Sequence, residues 1–103
     1  MNMTNLRITD IANRVLNQRV RIMDGSIRIF QALNDLGMSN DQDFMIFQFI
    51  NSESDNFPLG RERKEWSKSA LKIKDLELAK FEKFYKEDVF KACKKIIKRF
   101  SSK

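Results

Sequence analysis

From Ile8 to Leu36 apolar residues recur at helical spacing. Ile8, Val15, Ile22, Ile29 and Leu36 mark every seventh position, and Ile11, Ala12, Leu16, Met23, Phe30 and Leu33 fall beside them. At about 100° per residue these positions share one side of a helix, while Arg7, Arg14, Arg21 and Arg28 form a second row along its polar flank. The pattern predicts one long helix. Thr4 or Asn5 can cap its start, and Gly37 suits its end, because glycine tolerates the left-handed conformation that closes many helices. Asp10–Arg14 and Asp24–Arg28 are spaced i,i+4 and add weak support. Three residues sit awkwardly. Gly25 should weaken a helix interior unless it permits close approach of a second backbone, a kink or a break. Arg19 and Ser26 project near the centre of the apolar side, so Arg19 needs a carboxylate partner or must snorkel along the edge of the core.

Phe44 to Ile50 is apolar almost all round, which fits a buried strand or a buried helix. Ser39 and Asp41 supply helix-start chemistry, with Gln42 completing a possible capping box, and no second strand candidate exists to pair with. A short helix over 40–51 is therefore predicted, central to the fold. Asn51 to Gly60 has no period and contains Pro58, so it reads as the connection. Asn51, Glu53, Asp55 and Glu62 match positions 1, 3, 5 and 12 of a calcium loop, but Asn56 replaces the turn glycine and Pro58 replaces an apolar residue. No metal site is expected there. Arg61 to Lys68 should form a short helix or turn that lays Trp66 over the core. From Leu71 to Phe100 a second long helix is predicted, with Leu71, Leu78, Phe81, Phe84, Tyr85, Val89, Ala92, Cys93, Ile96 and Phe100 on its apolar face. Lys83–Glu87, Glu82–Lys86 and Glu87–Lys91 would pair along it.

These segments define an all-α fold: a small helical bundle in which two long antiparallel helices clamp one or two short ones, with Trp66 closing one end. Its 103 residues suit a single helical domain, 1–103. Charge changes the picture only by its division. Residues 1–60 carry 5 Lys and Arg against 7 Asp and Glu, a net of −2, whereas residues 61–103 carry 15 against 7, a net of +8. The basic character belongs to the C-terminal part, including the last helix. Its lysines Lys91, Lys94, Lys95 and Lys98 form a strip away from the core that can meet phosphates or stay solvated.

Catalytic chemistry is thin. The sequence has no histidine, no Gly-rich phosphate loop and no Cys/His cluster, so nothing indicates an enzyme, a cofactor or a metal. Cys93 is the one cysteine; on the apolar face it reads as a small buried thiol, the alternative being a reactive thiol assisted by Lys94. A lone cysteine and the lack of a signal-like start favour a cytoplasmic setting, and no apolar run reaches the ~18 residues of a membrane helix.

Gln18 followed by Asp24-Gly25-Ser26-Ile27-Arg28, then an amphipathic run, an aromatic-rich stretch, a Pro-containing connection and a basic terminal helix, resembles a small uncharacterised bacterial family classed as a domain of unknown function. The acidic-Gly-x-Ile-Arg pattern at Asp24, Gly25, Ile27 and Arg28 is the most specific part of that resemblance, which implies no activity. It also implies that relatives often begin with a membrane helix, a feature missing from this sequence. The expected function is a helical protein-protein interaction module, binding an unknown protein partner or a second copy of itself. Electrostatic binding of nucleic acid or an anionic membrane by the basic C-terminal helix is the alternative. Candidate partner-binding residues are Asp24, Gly25 and Arg28 in the first helix and Lys91, Lys94, Lys95 and Lys98 in the last.

Overall fold

In the computed structural model, which describes residues 3–101, the predicted helix over 8–36 is two helices, α1 (Met3–Leu16) and α2 (Ile22–Asp35). The break lies at 17–21 rather than at Gly25. Gln18 takes the left-handed conformation, φ 58°. Its amide donates to the Val15 carbonyl at 3.0 Å, and the Arg19 amide donates to the Arg14 carbonyl at 2.8 Å. This pair of bonds satisfies carbonyls that a helix end leaves open. The end of α2 uses the same device at Gly37, φ 71°, with the Gly37 amide on Asn34 and the Met38 amide on Leu33. Glycine announces that conformation in a sequence, and glutamine does not.

The chain doubles back through this turn, so that Arg7 near the start of α1 meets Asp35 at the end of α2 at 2.7 Å. The seven-residue row survives because both helices face one core: Ile8, Val15 and Ile29 are buried, with Ile22 and Leu36 packed at its edge. Gly25 is buried where α2 crosses the end of α1. A Cβ there would collide with Cγ2 of Val15 and come within 3.3 Å of Cγ1 of Val20, so the close approach of the two helices depends on the missing side chain. Ser26 beside it is also fully buried, and its Oγ has no hydrogen-bond partner among the described residues. Arg19, expected near the centre of the apolar side, lies exposed in the turn between helices instead.

The remaining helices are α3 (Met45–Glu53) and α4 (Lys68–Phe100), joined through 3₁₀ turns at 42–44, 54–56 and 60–65. Long helices α1 and α4 pack on each other and α3 lies against α2 and α4, giving the all-α bundle that the periodicity predicts. Phe44, Phe47 and Ile50 enter the core, whereas Met45 and Phe49 are exposed on the other side of α3. Asp41, not Ser39, starts this segment: its carboxylate accepts from the Asp43 amide at 2.9 Å. At the far end the expected lid is a different residue. Trp66 is 39% exposed and takes no part in the core. Phe57 closes that end, edge-on to Phe81 at 5.5 Å, and Phe81 in turn meets Phe49 and Tyr85.

Gly25→Leu should overpack the α1/α2 crossing and cost about 1–3 kcal/mol, while Arg28→Ala on the exposed flank should cost less than about 1 kcal/mol. Denaturant unfolding measures the rank order. A larger loss for Arg28→Ala would show that the flank carries more of the fold than the crossing does.

Candidate functional site

A helix begins with free amides, and α2 begins at Arg21, which offers no side-chain cap to them. The cap comes from α4 instead. Glu82 accepts from the Met23 amide at 3.0 Å and from the Arg21 guanidinium at 2.7 Å (Nη2) and 3.3 Å (Nε). Glu82 was expected to pair with Lys86 on its own helix. A free amide, the positive end of α2 and a guanidinium together outweigh one ammonium, and Glu82 is largely shielded from water. The hydrogen bond to Glu82 also raises the Arg21 pKa further, keeping it cationic.

The carboxyl end of α4 is pinned in a comparable way. Arg99 donates to Asp41 at 2.9 Å and lies over the Phe44 ring, while Lys95 approaches Asp43 at 3.5 Å. Lys95 therefore belongs in part to the support of the 42–44 turn. Lys91, Lys94 and Lys98 are exposed and have no acidic partner among the described residues. The projecting start of α4 is braced by Arg63, which grips Asp75 through two bonds of 2.8 Å and holds its carboxyl below the usual carboxylate range.

Asp24, Gly25 and Arg28 do not share one surface. Asp24 is half-buried beside Arg21, Pro58 and Arg63; Gly25 points into the α1/α2 crossing; Arg28 opens onto a cleft of about 370 Å³ among Arg7, Asp10, Arg14 and Asp35. Asp10–Arg14 forms at 3.1 Å as spacing suggests, but Asp24 and Arg28 make no ion pair. None of the three is brought beside Lys91, Lys94 or Lys98.

What the reading of residues missed is a second apolar stripe on α4. Phe84, assigned above to the core face, is 76% exposed, and Ile73 and Leu76 are each 59% exposed. On a helix these three lie roughly 150° from the centre of the buried face defined by Leu78, Val89, Ala92 and Ile96. Lys91, Lys94 and Lys98 continue the same outer face toward the carboxyl end. No residue before Leu78 on α4 is buried, because this 33-residue helix outruns the 14-residue α1 and α2. The spacing of Ile73, Leu76 and Phe84 is visible in the sequence, but the predicted apolar face took in Phe84 and left Ile73 and Leu76 unassigned.

Cys93 is fully buried, and desolvation pushes its thiol up to about 12. It is a packing residue in this fold, with no thiolate for Lys94 to stabilise at neutral pH.

These features define a helical module whose exposed chemistry is apolar and cationic. Residues 3–96 match the family described as "Protein of unknown function (DUF2489)", and the chain belongs to that family. No curated protein and no solved structure matches it. Among the described residues no helix is long and apolar enough to cross a membrane.

Ellman's reagent tests the state of Cys93. The native protein should react only as fast as it opens, and labelling should become rapid once denaturant unfolds α4. Because the folded thiol holds its proton above the unfolded pKa of ~8.5, stability should also decline as pH rises from there toward 12. Stoichiometric labelling within seconds in buffer would place the thiol at the surface.

Proposed function

We propose that the chain is a helical protein-protein interaction module whose docking surface is the outer face of α4. The observation that carries this reading is the row Ile73, Leu76 and Phe84, three large apolar side chains exposed on the side of α4 away from the core. Leaving them in water forgoes burial worth about 1.5–3 kcal/mol for each side chain, a gain that a partner can recover. Lysines define the partner's charge: Lys72 and Lys80 border the apolar row, and Lys91, Lys94 and Lys98 extend it with no acidic partner among the described residues. The fitting occupant is an amphipathic segment, apolar opposite Ile73, Leu76 and Phe84 and acidic opposite the lysines. A second copy fits poorly, since its own outer face carries the same lysines Lys80, Lys91, Lys94 and Lys98 and brings few carboxylates to answer them. Pure phosphate binding leaves the apolar row unused, and Glu87 within the face opposes an anionic membrane or nucleic acid.

Quantitative pull-down from cells, with the captured protein then purified and titrated, tests this reading. Ile73→Ser/Leu76→Ser/Phe84→Ser should lose the partner, and Lys91→Gln/Lys94→Gln/Lys98→Gln should weaken it at least about fivefold with slower association. Capture that neither triple variant disturbs would overturn the surface. Tight binding of generic DNA, RNA or anionic vesicles that persists near 200 mM salt would overturn the protein partner in favour of the electrostatic alternative.

A further inference from the structure

Roughly a quarter-turn round α4 from that row, the turn between α1 and α2 leaves a groove of about 570 Å³ against residues 82–90. Its floor is apolar, built from Val15, Val20, Ile22 and Phe90. Its rim is cationic: Arg19, Lys83 and Lys86 stand around it with no acidic partner among the described residues. The one carboxylate in its wall, Glu82, is engaged by Arg21 and the Met23 amide and so adds no free negative charge. Lys86 lies 5.5 Å above the Phe90 ring, leaving its ammonium at the boundary of floor and rim. A volume in this range is that of small-molecule sites, where an apolar lining holds the body of a ligand and a few polar groups orient it.

We infer that this groove binds a small amphiphilic carboxylate of the medium-chain fatty acid type, with its tail on Val15, Val20, Ile22 and Phe90 and its head among Arg19, Lys83 and Lys86. Charge complementarity selects the head: three cations with no acidic partner among the described residues favour an anion, and a guanidinium beside two ammonium groups suits a carboxylate. The floor selects the body, because an inorganic anion would leave the half-buried Val20, Ile22 and Phe90 uncovered. The site is independent of the outer face of α4.

Decanoate below its micelle concentration is the probe, with calorimetry for affinity and methyl NMR for position. Saturable 1:1 binding is expected, with shifts at the methyls of Val15, Val20 and Ile22. Arg19→Gln/Lys83→Gln/Lys86→Gln should weaken it by about tenfold or more, whereas Lys91→Gln/Lys94→Gln/Lys98→Gln, which removes the same charge elsewhere, should change it by less than about twofold. All these side chains are at the surface, and unchanged circular dichroism checks that the variants fold. Four results would each overturn the site: no binding of decanoate, equal weakening by both triple variants, methyl shifts confined to other regions, or acetate or decyltrimethylammonium binding as tightly as decanoate.

Discussion

The carboxylate of Glu82 joins the two halves of the chain. It reaches from the middle of α4 to the first turn of α2, where it accepts the Met23 amide and the Arg21 guanidinium at once. Without it the broken helix row would have an uncapped start facing a partly apolar groove, and caps of this kind are worth about 0.5–2 kcal/mol. The geometry is mutually dependent. The turn at Gln18 brings Arg21 round to α4, Gly25 lets α2 settle on α1, and only then does the start of α2 fall within reach of Glu82.

Local signals were legible to the extent that the physics was local. Ile8, Val15 and Ile29 belong to the core because a helix period constrains a face whether or not the helix is continuous. Gly37 ends α2 for the reason its chemistry suggests. Gln18 does the same for α1 with a residue that gives no warning, and an unbroken apolar row hides the turn. The Glu82 link is 59 residues from Met23 in sequence, so no spacing rule reveals it, and the nearby Lys86 offers a plausible but losing partner. Trp66 and Phe84 show the same limit from another side: Trp66 was expected as a lid and Phe84 on the core face, while Phe57 takes the place of the lid against Phe81 and Phe84 is exposed.

For the candidate site, residue type was more legible than arrangement. Lys91, Lys94 and Lys98 do form an exposed strip, but Lys95 turns to Asp43, and Arg28 faces a cleft between α1 and α2 rather than the lysines. The functional reading consequently moves from the Asp24, Gly25 and Arg28 neighbourhood to α4, a helix with a core face and an outer apolar face. Of the two sets of apolar residues on this helix, the outer one is exposed among the described residues, and lysines run along it.

Amide hydrogen exchange tests the central role of Glu82 most directly. In Glu82→Ala, the amides of the first turn of α2, Met23 foremost, should exchange about tenfold faster than in the parent protein, in line with the loss of a charge-assisted cap. Those of Ala92, Cys93 and Ile96 in α4 should change much less. Protection of Met23 that is unaltered by the substitution would contradict the account, because α2 would then hold its start without the carboxylate from α4.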